Sequence, residues 1–83
     1  MKTIIIEDDV ACRLLLKDLM SNVKKFDVIA DFGTAMEGLE FIKNNAVDLI
    51  FLDVEMPGMT GIELARMLPD NIKIVLTLSL IHI

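Results

Sequence analysis

DLIFLDVEMPGMTGIEL, residues 48–64, sets a continuous apolar run against an acid, a turn and a helix start. Val47 to Leu52 is short and apolar throughout, the signature of a strand covered on both faces. Asp53 closes it, and a run as apolar as LIFL seldom ends in an acid beside Met56-Pro57-Gly58, whose Pro and Gly mark a turn. Thr60-Gly-Ile-Glu63 then has capping-box spacing and opens a helix that is expected to end near Pro69.

The same grammar extends in both directions. Thr3 to Ile6 reads as a buried strand cut off by Glu7, Asp8 and Asp9. From Asp9 to Val23, the residues Val10, Leu14, Leu15, Leu16, Leu19, Met20 and Val23 recur at helical spacing, with Arg13, Lys17 and Asp18 expected on the opposite side. Phe26 to Phe32 reads as a second strand, and Thr34-Ala-Met-Glu37 is a capping box that starts a helix running to about Asn45. Ile72 to Leu76 supplies a fourth strand. The predicted order is β-α-β-α-β-α-β, and strands this apolar point to a parallel α/β sheet wrapped by helices.

The size of the chain allows one small domain: it has 83 residues, 54% of them hydrophobic, and a formal net charge of −5. A chain this short buries only about 60–65% of its unfolded surface, so every element needs a partner. Thirteen acids against eight bases, with no basic cluster beyond Lys24-Lys25, give no electrostatic footprint for nucleic acid or anionic lipid. Cys12 is the single cysteine, which excludes a disulfide framework and Cys/His metal spacing and fits a reducing, cytoplasmic compartment. The N-terminus lacks the apolar length of a signal peptide, and no run reaches the roughly 18 apolar residues of a membrane span.

In a doubly wound sheet, ligands bind outside the carboxyl ends of the strands, where strand order reverses. Asp8 and Asp9 follow the first strand and Asp53 ends the third, so three carboxylates converge there if those strands are neighbours. Their mutual repulsion calls for a hard divalent cation, and Mg²⁺ is the expected cofactor. A carboxylate beside Mg²⁺ can act as a nucleophile toward phosphorus, which makes Asp53 a candidate phosphoacceptor. The alternative reading of Asp9 is a cap for the first helix, and that of Asp8 and the Glu55 side chain is solvated acids.

The pattern resembles the receiver domain of two-component response regulators. It does so through IIIEDD at residues 4–9, the 48–64 stretch with Pro57 and Gly61 after Asp53, and KIVLT at 73–77. The resemblance covers residue 2 to about 77 and implies a flavodoxin-like doubly wound sheet. It implies Asp53 as phosphoacceptor, Asp9 as direct Mg²⁺ ligand, Asp8 acting mainly through a metal-bound water, and Glu55 contributing its backbone carbonyl. The family's phosphoryl-contacting hydroxyl falls at or beside Thr77, with Leu78 and Ser79 adjoining. The implied partner is a histidine kinase or phosphotransfer protein, with a receiver dimer possible in a full-length protein and an output, LytTR-type by its wording, outside this chain.

The family's lysine on a fifth strand and its switch aromatic have no counterpart here, so the chain is expected to accept phosphate poorly; without that strand the apolar Ile72 to Leu76 segment is left as an open edge, and the chain is expected to be unstable or aggregating. Residues 1–77 are read as a partial receiver domain. Residues 78–83, LSLIHI, are the translation of CTGTCTCTTATACACATC, a transposase adapter end, and are read as a non-native tail; a natural hydrophobic tail is the alternative. Two other functions compete with the signalling module. One is a Mg²⁺-dependent aspartyl-phosphate phosphohydrolase, because Asp53-Val-Glu55 loosely mimics an Asp-x-Asp motif. The other is a binding module that works without phosphorylation.

Overall fold

A computed structural model describes residues 1–53 and 61–77. Seven elements alternate: β1 (Lys2–Ile6), α1 (Val10–Ser21), β2 (Asp27–Phe32), α2 (Ala35–Asn44), β3 (Leu49–Asp53), α3 (Gly61–Arg66) and β4 (Lys73–Thr77). The strands form one parallel sheet in the order β2-β1-β3-β4. The order reverses at β1, since the chain moves outward to β2 and then returns past β1 to β3. This puts the carboxyl ends of β1 and β3 side by side, with Ile6 opposite Leu52.

The apolar runs become the two inner strands because only there is each face of the sheet covered. Ile4, Ile5, Ile6 and Ile50 have no exposed surface, and Leu52 has almost none. Burying each such side chain contributes about 1.5–3 kcal/mol. The core between the sheet and helices α2 and α3 is built from Ile4, Ile6, Ala35, Val47, Ile50, Leu52 and Leu64. Gly38 lets α2 come close to β1, since a Cβ there would stand 2.4 Å from Ile6 Cδ1. The edge strands β2 and β4 are only partly covered. In β2 the register slips between Thr3 and Ile4 of its neighbour, where Ile29 is passed over.

Strand and helix limits differ from the sequence expectations by a residue or two, with two instructive exceptions. The third helix stops at Arg66 rather than near Pro69, and its end tightens into Met67 N→Leu64 O and Leu68 N→Ala65 O bonds of 3.0 and 3.3 Å. The first helix turns a different face inward from the one expected. Cys12 and Met20 are buried and Leu16 is half-buried, whereas Val10, Leu14, Leu15, Leu19 and Val23 are exposed. Arg13, expected in solvent, lies on the inward side and pairs with Asp31 of β2. The apolar arc of this helix is wide enough for either face to satisfy it, and the ion pair with β2 accompanies the observed one.

Candidate functional site: an acidic crevice at the ends of the inner strands

Glu7 follows β1 and is completely buried. Its backbone N–H donates to the Phe32 carbonyl at 3.0 Å, its own carbonyl accepts from Arg13 Nη1 at 3.0 Å, and its Oε2 accepts from the Asp9 N–H at 3.0 Å. Its Oε1 is buried with no hydrogen bond among the described residues. Burial, the largest influence, lifts the Glu7 carboxyl to about 7 from its ordinary 4.5. The Asp9 N–H and the Cys12 side chain oppose that rise, while the Asp53 and Asp8 carboxyls add to it.

Asp53, the last residue of β3, is 1% exposed, and Asp8 is exposed at the rim. Glu7, Asp8 and Asp53 each offer a carboxylate oxygen, and these oxygens lie within 4.8 Å of one another. Two of the acids singled out in the sequence, Asp8 and Asp53, therefore do meet. The third partner is Glu7, which the sequence reading passed over.

Asp9 does something else. Its backbone is extended and its Oδ1 accepts from Cys12 N at 2.9 Å, so it caps α1. Asp9 takes the capping geometry that was its alternative reading, and the carboxylate group found among the described residues is Glu7, Asp8 and Asp53. With Asp9 as the cap, the acidic pair preceding the helix becomes Glu7-Asp8, an assignment that the hydrogen bond makes and the spacing of three consecutive acids does not. Thr77 sits opposite Asp53 in the β3–β4 register, and its hydroxyl donates to the Leu52 carbonyl at 3.3 Å. Glu55 lies outside the described residues.

A buried carboxylate at a topological switch point, with two more acids beside it, defines an oxygen-rich crevice suited to a hard cation and to attack on an electrophile. The sequence pattern of the response regulator receiver domain matches residues 3–80, and the chain belongs to that family. It is 41% identical over 73 residues to an uncharacterized response regulatory protein of Vibrio vulnificus, a match spanning 87% of this chain and 30% of that protein. The crystal structure of the response regulatory domain of MrkE from Klebsiella pneumoniae superposes with a TM-score of 0.80 at 30% identity, covering 92% of this chain and 65% of that one. A second solved neighbour, the response regulator TrrA in complex with the histidine kinase ThkA, has a TM-score of 0.78 at 27% identity, covering 98% of this chain and 71% of that one. The chain spans less than a third of the length of the Vibrio relative. Among the described residues, no helix is long and apolar enough to cross a membrane.

Proposed function

We propose that this receiver domain takes a phosphoryl group onto Asp53 from the phosphohistidine of a partner kinase or phosphotransfer protein, in the cytoplasm, and passes the resulting change of state to an output. The single observation that carries this reading is the buried Asp53 at the end of β3, grouped with Glu7 and Asp8 at the strand-order reversal. The complex of a similar response regulator with a histidine kinase supports the choice of partner.

The residues fit Mg²⁺. All three offer carboxylate oxygen, the ligand type this hard ion prefers, and Glu7 Oε1 is a buried acceptor with no hydrogen bond among the described residues. Glu7, Asp8 and Asp53 would hold the ion, in place of the Asp9-centred set expected from the sequence. When bound, Mg²⁺ neutralises charge on the transferring phosphoryl oxygens. An Asp53 carboxylate oxygen attacks phosphorus, the P–O bond forms as the P–N bond to the imidazole breaks, and the imidazole nitrogen leaves with the bonding pair and takes up a proton. Burial holds the attacking group away from competing water. The register that sets Thr77 opposite Asp53, one strand away, supports the reading of Thr77 as the hydroxyl that meets the transferred group.

The test is transfer from a radiolabelled small phosphodonor, such as acetyl phosphate, in the presence of Mg²⁺. The wild-type chain is expected to label slowly and Asp53→Asn not at all. Equal labelling of the Asn variant would move the acceptor elsewhere. Sustained turnover of a phosphomonoester would favour the phosphohydrolase, and kinase binding unaffected by Asp53→Ala would favour the phosphorylation-independent module.

A further inference from the structure

We propose that Arg13 is a positioning residue for the site, acting through the peptide that joins its two neighbouring acids, Glu7 and Asp8. This inference rests on the reading that Glu7, Asp8 and Asp53 hold Mg²⁺.

Arg13 Nη1 donates to the Glu7 carbonyl at 3.0 Å, while its Nε stands 3.2 Å from Asp31 Oδ2. Both partners are largely covered, with side-chain exposures of 20% for Arg13 and 21% for Asp31. The slot through which the guanidinium reaches is kept open by Gly33, where a Cβ would stand 2.7 Å from Arg13 Nη1. Three elements thus converge on one planar group: α1 supplies it, the end of β2 anchors it, and the residue after β2 leaves room for it.

The carbonyl that Arg13 holds belongs to the Glu7–Asp8 peptide, which is planar. Fixing its orientation fixes ψ of Glu7 and φ of Asp8 together, and so the directions in which both acidic side chains leave the backbone. The amide side of Glu7 is already pinned to Phe32 O, and Glu7 Oε2 to the Asp9 N–H. Arg13 supplies the remaining restraint. Nη1 hydrogen-bonds the Glu7 carbonyl, while Nε, which has no hydrogen-bond partner among the described residues, meets Asp31 as a charge contact; a rigid planar guanidinium keeps these two contacts in one geometry, which a lysine ammonium on a flexible stem does not. Lys17 Nζ also reaches Asp31, at 3.1 Å from Oδ1, but it is half exposed and, among the described residues, does not bond the acidic segment.

Calorimetric titration of the 83-residue chain with magnesium chloride, beside thermal melts followed by circular dichroism, tests this. Arg13→Ala is expected to raise the Mg²⁺ Kd about tenfold, the scale seen when groups that orient metal ligands are removed. Arg13→Lys retains the aliphatic stem and the charge, keeps the fold, and is expected to lose most of the same affinity. Lys17→Ala removes an ion pair to the same Asp31 and should leave the Kd within about twofold. If both Arg13 variants melt earlier yet bind Mg²⁺ like wild type, Arg13 is structural only and the proposal falls. If the wild-type chain itself shows neither heat nor a melting shift with Mg²⁺, the three-carboxylate reading fails first and takes the role of Arg13 with it.

Discussion

The inner and outer strands of this sheet are built from similar residues and meet different fates. In β1 and β3 the isoleucines and leucines are almost wholly enclosed, while in β2 and β4 Ile29, Val75 and Leu76 keep 38, 40 and 51% of their surface. Hydrophobicity therefore does not by itself make a strand interior; neighbours on both sides and cover on both faces do. The same difference bears on the chemistry. Glu7, just past an inner strand, is desolvated and its carboxyl is raised, whereas Asp31 on an outer strand pairs with the largely covered Arg13 and the half-exposed Lys17. The crevice is where the dry part of the sheet ends.

The largest effect expected from this contrast is on stability. Ile50→Ala removes a fully enclosed side chain from the core and should cost about 2–5 kcal/mol. A domain this small rarely has more than about 3–5 kcal/mol to lose, so the variant should be largely unfolded at room temperature by circular dichroism. Ile29→Ala, on the outer strand beside the register slip, should cost below about 1 kcal/mol. Similar losses at the two positions in urea melts would show that the inner and outer strands are equally protected, and would break the comparison.

Much of this arrangement is legible in the sequence because burial on both faces leaves a plain record: LIFL and TIII are uninterrupted apolar runs, and each ends in an acid. The capping box at Thr34 is realised as written, with Glu37 N donating to Thr34 Oγ1 at 3.2 Å. What was not legible lies at the junction of β1 and α1. Three consecutive acids can be divided between site and cap in more than one way, and spacing alone does not assign the cap. The inward face of α1 was hidden for a related reason. Leu14, Leu15, Leu16 and Leu19 spread around the helix, so spacing does not choose its rotation; the observed one buries Cys12 and Met20 and pairs Arg13 with a partner distant in sequence.

Titration of Glu7 sharpens the comparison. Its folded-state carboxyl is raised to about 7 from 4.5, so the folded chain binds a proton that the unfolded chain releases between those values. The stabilisation is fully present below about pH 4.5 and is lost as pH rises through about 7. At about 1.4 kcal/mol per unit, the effect is at most on the order of 3 kcal/mol. Glu7→Gln resembles the protonated form permanently. In metal-free buffer its melting temperature should match that of wild type near pH 4.5 and exceed it increasingly toward pH 7.5. A constant difference across that range would mean that the buried acid does not titrate differently in the folded chain.

The smallest effects separate the two adjacent acids on either side of the crevice rim. Asp9 and Thr34 each cap a helix by accepting from a backbone N–H three residues on. Asp9→Ala and Thr34→Ala should therefore resemble each other, each lowering stability by about 0.5–2 kcal/mol. They should also leave Mg²⁺ affinity nearly unchanged, whereas Asp8→Ala should weaken it markedly while barely moving the melt, since Asp8 is exposed and belongs to the carboxylate group. The decisive quantity is the ratio of the two readouts at positions 8 and 9, because a cap acts on the helix and a ligand acts on the ion. Loss of Mg²⁺ binding in Asp9→Ala with an unshifted melt would return Asp9 to the metal and leave α1 without the cap its hydrogen bond describes.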